Sequence, residues 1–208
     1  MGSILYSNLR AAFLVDNGFC EREYKQAYQI LTSLGVNCRI VSPSQDVIKA
    51  WNEEKDKTKS NWGQDYASDR LLSDAIPSDY DIIVIPGGSR SVEKLNVSQG
   101  LKSFIMGFVQ SNKPIIVYNK GIEILSHADL LHGYSVATKD KTCEDVKYYG
   151  GRCASTDFVV SKNLITLARY VDVGDKLQRA VCCVLNGEQY FDKIVGSDNN
   201  MPNSYKAA

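Results

Sequence analysis

Three short stretches of the chain combine residue types able to do chemistry with turn residues that would present them. The first is Asp16-Asn17-Gly18-Phe19-Cys20-Glu21-Arg22-Glu23. If a helix starts here, its positive N-terminal end and Arg22 both lower the pKa of Cys20, which makes that thiol a candidate nucleophile or redox sensor. The plainer reading is a bystander thiol, because the sequence places no histidine or other base beside it. Glu23 is a candidate general acid/base, or a solvated first-turn residue favoured by the helix dipole. The second stretch, Pro86-Gly87-Gly88, offers the Gly87 and Gly88 amides as donors to a ligand carboxylate or carbonyl, or simply a tight turn that glycine fits. The third is Tyr118-Asn119-Lys120-Gly121. Lys120 could assist Glu23 electrostatically, Tyr118 offers only a phenol of ordinary pKa about 10, and the Asn119 carboxamide neither titrates nor attacks.

Each stretch follows an apolar run of strand length. Ala11-Ala-Phe-Leu-Val15 precedes the first, Tyr80-Asp-Ile-Ile-Val-Ile85 the second and Pro114-Ile-Ile-Val-Tyr118 the third. Between them lie helical patterns: Tyr24, Ala27, Tyr28, Leu31 and Leu34 recur at one-face spacing before Gly35, and Leu101, Phe104, Ile105 and Phe108 mark another helix. Cys38–Ser42 reads as a second strand, and Ile122, Ile124 and Leu125 open a helix directly after the third stretch. Strands alternating with helices predict an α/β fold with a mainly parallel sheet, and in such sheets ligands sit beyond the carboxyl ends of the strands. The three stretches could therefore line one pocket. Shorter strands are expected at 134–138, 157–160 and 163–166, and Leu177, Ala180, Val181 and Val184 form the inner face of a closing helix.

Residues 44–80 break this rhythm. They are polar, dense in charge at Glu53-Glu-Lys-Asp-Lys-Thr-Lys59, and dotted with Trp51, Trp62 and Tyr66. A surface excursion with a helical turn or two is the plainer reading, and a ligand lid the other. The core then spans about 11–185, and 187–208 is expected to be a loosely held tail of the single domain 1–208.

The balance of the 208 residues excludes several functions. Lys+Arg and Asp+Glu number 24 each, with 44% of residues apolar. No global positive field exists to bind nucleic acid or an anionic membrane, and a chain this long builds a core without staples. No apolar run reaches the roughly 18 residues of a membrane span. The N-terminus lacks the pattern of a secretory signal, and Tyr6 stands where myristoylation needs Ser or Thr. The six cysteines, at 20, 38, 143, 153, 182 and 183, form no C-x-x-C or zinc-finger pattern. They read as unpaired thiols in a reducing cytosol, with Cys182 and Cys183 at or near the core. His127 and His132, five residues apart, do not share a helical face, so no metal and no cofactor is expected. The partner expected is a small molecule.

In its ordered motifs the chain resembles the DJ-1/PfpI (ThiJ/PfpI) superfamily, relatives of the class I glutamine amidotransferase fold. The motifs are Gly-Phe-x-x-x-Glu at 18–23, Tyr-Asp-x-x-x-x-Pro-Gly-Gly at 80–88, Lys-Pro-Ile with its elbow at 113–125, Leu-Leu-x-Gly at 130–133, Gly-Gly at 150–151 and Asn-Leu-Ile-Thr at 163–166. The resemblance implies a flavodoxin-like three-layer sandwich and a homodimer. It also implies a cysteine nucleophile at the elbow, where matching Gly121 puts Asn119. Glu23 matches the glutamate that hydrogen-bonds the nucleophile and could here bond Asn119. Gly87 and Gly88 match an oxyanion-binding turn, and Thr138-Lys-Asp-Lys141 stands where relatives carry a histidine. Two functions follow as expectations. One is a non-catalytic member binding a small ligand or partner through Gly87, Gly88, Tyr118 and Asn119. The other is a hydrolase-, glyoxalase- or deglycase-like enzyme using Cys20 or Glu23, with Lys120 as helper. A protein-interaction or chaperone-like role rests on analogy alone.

Overall fold

The wholly apolar runs become the central strands of one sheet, because a strand covered on both faces has no place for a polar side chain. The computed structural model describes residues 6–44, 47–52, 61–138, 140–168 and 173–190. In chain order the elements are β1 (Arg10–Leu14), α1 (Glu21–Ser33), β2 (Asn37–Ser42), β3 (Val47–Trp51), β4 (Trp62–Ala67), β5 (Arg70–Leu71), β6 (Ile82–Ile85), α2 (Ser89–Asn96), α3 (Leu101–Gln110), β7 (Ile115–Tyr118), α4 (Ile122–His127), β8 (Ser135–Ala137), α5 (Asp140–Tyr148), β9 (Arg152–Ala154), β10 (Phe158–Ser161), β11 (Leu164–Leu167) and α6 (Gly174–Leu185). Seven strands form a sheet in the order β10-β11-β7-β6-β1-β2-β5. All its neighbours run parallel except β10, which closes one edge antiparallel to β11.

Alternation along each strand divides the core into two layers. Ala11, Phe13, Ile82, Val84 and Ile116 face Tyr24, Ala27 and Leu31 of α1 and Leu177, Ala180 and Val181 of α6. Ala12, Leu14, Ile83, Ile85 and Val117 face Val92 and Leu95 of α2, Phe104, Ile105 and Phe108 of α3, and Ile122 and Leu125 of α4. The result is the expected three-layer α/β sandwich. β1, β6 and β7 are neighbours, so their carboxyl ends meet, and the chain order reverses between β1 and β6.

Two expectations are corrected. The 44–80 excursion does hold two short 3-10 turns, Leu72–Asp74 and Pro77–Asp79, but its main feature is an antiparallel hairpin of β3 and β4. Val47, Ile48, Lys49 and Ala50 alternate exposed and buried, with Ile48 and Ala50 fully covered. That period of two belongs to a strand and not a helix, and the charge density of the segment obscured it. The charge run 53–59 lies outside the described residues. The second correction concerns the cysteines. Cys143 and Cys153 are joined by a disulfide, with α carbons 5.9 Å apart, because α5 and β9 are folded back on each other in a way that their spacing does not reveal. Cys20, Cys38, Cys182 and Cys183 remain thiols. The latter two are half-buried, as is Cys38, whose thiol burial pushes up to about 12.

Two helices, α2 and α5, were not anticipated; both are short and place few side chains in the core. Of the expected tail, 187–190 follow α6, with the Tyr190 ring against Phe158, and 191–208 lie outside the described residues. No described helix is long and apolar enough to cross a membrane.

Candidate functional site

The loop after β1 and the turn after β6 are joined by a main-chain hydrogen bond at the switch point, and the elbow after β7 closes against the same turn. Cys20 N–H donates to the Gly87 carbonyl at 2.9 Å. The hairpin adds to the same assembly: Gly18 N–H donates to Lys49 O and Trp51 N–H to Phe19 O, both at 2.7 Å, while Lys49 N–H donates to Asn17 Oδ1. Cys20 is buried at the N-cap of α1 with no side-chain cap bond, and Arg22 is exposed.

Glu23 lies on the first turn of α1 and is only 2% exposed. Its Oε2 accepts from Gly87 N–H at 2.7 Å. A polar group buried this deeply needs such a donor, and a solvated first-turn role is excluded. Gly87 is required by close approach: a Cβ there would stand 2.9 Å from Glu23 Oε2, 3.3 Å from the Tyr118 carbonyl oxygen and 3.4 Å from Asn119 Cβ. Glu23 and Asn119 therefore flank the same glycine.

Asn119 is half-buried and left-handed, with φ 45°. Such a backbone is unfavourable for most side chains but comparatively accessible to asparagine. It gives the elbow the strained turn expected at a strand-to-helix junction. The expected bond between Glu23 and Asn119 is not seen among the described residues; Glu23 Oε2 is bonded to Gly87. That same bond occupies the Gly87 donor of the glycine turn. Lys120 is exposed and its ammonium lies 3.9 Å from Glu123, so its charge is drawn along α4. Tyr118 is wholly buried within the layer containing α1 and α6.

A second buried carboxylate, Glu21, was noted in the sequence but given no task. Its Oε1 accepts from Lys25 at 2.8 Å, from the Tyr66 hydroxyl at 3.1 Å and from Gln64 N–H at 3.4 Å. Burial pushes this carboxyl upward, but the hydrogen bonds from Lys25 and Tyr66 and the Lys25 charge outweigh it, holding Glu21 below the usual range. The side chain of Tyr66 is thereby fixed over α1, in edge contact with Phe19 and Tyr24. Trp51 and Trp62 meet edge to face at 5.2 Å, and the Arg90 guanidinium at the start of α2 lies 4.9 and 5.4 Å from their ring centres. The hairpin is thus fastened to both α1 and α2. The aromatic residues were the signal for this, but nothing in the spacing identified their partners.

His132 is exposed and paired with Asp129, and His127 packs its ring against Tyr149. No group of three potential metal ligands occurs among the described residues. Lys139 lies outside the described residues, and Asp140 begins α5.

A model of the DJ-1/PfpI family matches residues 9–182. The chain is 30% identical over 104 residues to "Putative cysteine protease YraA" of Bacillus subtilis (strain 168), a match spanning 50% of this chain and 61% of that protein. It is 30% identical over 138 residues to "Protein DJ-1 homolog D" of Arabidopsis thaliana, spanning 64% of this chain and 35% of that one. The chain therefore covers less than two thirds of the length of these curated relatives. The crystal structure of a ThiJ/PfpI domain protein from Brachyspira murdochii superposes with a TM-score of 0.72 over 88% of this chain and 98% of that one, at 20% identity.

Proposed function

The chain belongs to the DJ-1/PfpI family, and we propose that within it this protein is a binding member that does not perform cysteine chemistry at the elbow. The observation that carries this reading is Asn119 at the left-handed elbow position, φ 45°, where the family resemblance calls for a thiol. A carboxamide forms no acyl or thiohemiacetal intermediate and exchanges no proton near neutral pH. The commitment of the Gly87 amide to Glu23 supports the same reading, because a donor already engaged contributes little to a developing oxyanion. What the elbow retains is a carboxamide with both donor and acceptor, suited to a small ligand bearing a carbonyl or carboxylate.

The competing reading is thiol chemistry relocated to Cys20. Its support is the position of that residue, at the N-cap of a helix of 13 residues and joined through its amide to Gly87. One assay separates the two. Methylglyoxal and small esters are offered to the wild type, Cys20→Ser, Glu23→Gln and Asn119→Cys. A binding role predicts no turnover above the uncatalysed rate in the first three, and new thiol reactivity in Asn119→Cys. Wild-type turnover that collapses in Cys20→Ser or Glu23→Gln overturns it.

A further inference from the structure

The disulfide between Cys143 and Cys153 lies away from the elbow, and its position points to a use. α5 ends in a Schellman motif: Gly151 N–H donates to Val146 O at 2.9 Å and Gly150 N–H to Lys147 O at 3.1 Å. Gly150 takes φ 75°, the left-handed value that this helix stop requires. The chain reverses there and runs into β9, with Val146 buried against Gly151 and Leu131. This turn holds together by its own hydrogen bonds and packing, and it brings Cys143 and Cys153 within reach whether or not they are bonded.

We propose that Cys143 and Cys153 form a reversible dithiol–disulfide switch. Closed, it clips α5 to β9 and stiffens α4, the helix that follows the Asn119 elbow. Three observations support reversibility over a permanent staple. The domain has a two-layer core of its own and does not need a cross-link to fold. Both cysteines are only half-buried, on the side of the fold open to an exchange partner. The other four cysteines remain thiols, so the pair at 143 and 153 is selected by position and not by general oxidation of the chain. The route to the elbow is short: α5 packs on α4, with the Tyr149 ring 6.2 Å from that of His127, the last residue of α4.

The oxidant is a small disulfide of the glutathione class. One protein thiolate attacks it and releases one small thiol, forming a mixed disulfide. The second protein thiolate then attacks the mixed disulfide and expels the other small thiol. Two electrons pass from the protein to the small disulfide, and the two protein thiol protons end on the two released thiols. The proposal does not depend on whether the elbow is catalytic.

The full chain is equilibrated in buffers of graded glutathione to glutathione-disulfide ratio, quenched with acid, unfolded and alkylated. The expected result is six labels at the reducing end and four at the oxidising end, with peptide mapping placing the lost pair at 143 and 153. Hydrogen exchange of α4 and α5 amides should slow by about fivefold in the oxidised form. In Cys143→Ser and in Cys153→Ser that difference between poises should vanish, while Cys20→Ser keeps it. Six labels at every ratio, four at every ratio, or equal exchange in the two states each overturn the switch. The label count is read on the wild type, so it stands even if a serine variant unsettles α5.

Discussion

Gly87 N–H donates to Glu23 Oε2 over 2.7 Å, so the buried carboxylate of α1 anchors the turn after β6 instead of meeting Asn119 across the elbow. Glu23→Ala would leave that amide buried without an acceptor, a loss of about 1–3 kcal/mol. Glu23→Gln keeps an acceptor and should lose less. Gly87→Ala forces a methyl group to within 2.9 Å of the carboxylate oxygen and should cost about 1–3 kcal/mol through displacement. Urea unfolding measures all three, and equal stability of Glu23→Ala and wild type would disprove the anchoring role.

The elbow backbone makes a separate prediction. Asn119 at φ 45° tolerates glycine but not a branched side chain. Asn119→Gly should be near neutral or slightly stabilising, and Asn119→Val should cost about 1–2 kcal/mol or more. Thermal unfolding that ranks valine at or above glycine would show that the elbow relaxes out of the left-handed region.

Glu21 imposes a pH dependence whose sign is determined. Its folded pKa lies below the ordinary glutamate value of about 4.3, which the unfolded chain retains. It therefore contributes stability that is fully present above about pH 4.3 and is lost as the pH falls through the folded value. Glu21→Gln should lower stability at pH 7 and flatten this acid limb, so the gap between wild type and variant in denaturant midpoints closes as the pH falls through the folded value. A gap that stays constant as the pH is lowered below about 4.3 to the acid unfolding limb would remove Glu21 from the acid response.

The fastening of the hairpin rests partly on Arg90 between Trp51 and Trp62. Arg90→Ala should cost about 1 kcal/mol, shift the tryptophan fluorescence, and raise amide exchange in β3 and β4 more than in β1 or β6. Exchange that rises uniformly would mean the substitution weakened the whole fold and not the hairpin.

The central strands were legible because burial on both faces leaves a continuous apolar run, and the main helices because a 3.6-residue period survives in any window of adequate length. Gly87, Gly88, Glu23 and Asn119 were placed at strand ends by local turn chemistry, and those ends do meet. The β3–β4 hairpin was missed because a charge run in the middle of 44–80 dominated its composition. α5 carries no legible period because, among its described side chains, Val146 alone is buried in the core.

The amino-acid sequence by itself determined the alternation of strands and helices, the mainly parallel sheet and the residue types at the strand ends, Asn119 among them, since these follow from local periodicity and residue identity. Only the tertiary structure decided what each polar group is bonded to. Glu23 meets Gly87, Tyr66 reaches Glu21, and Cys143 is brought to Cys153 because segments distant in the chain pack face to face. The requirement that buried donors, acceptors and charges be satisfied then selects partners that no spacing encodes.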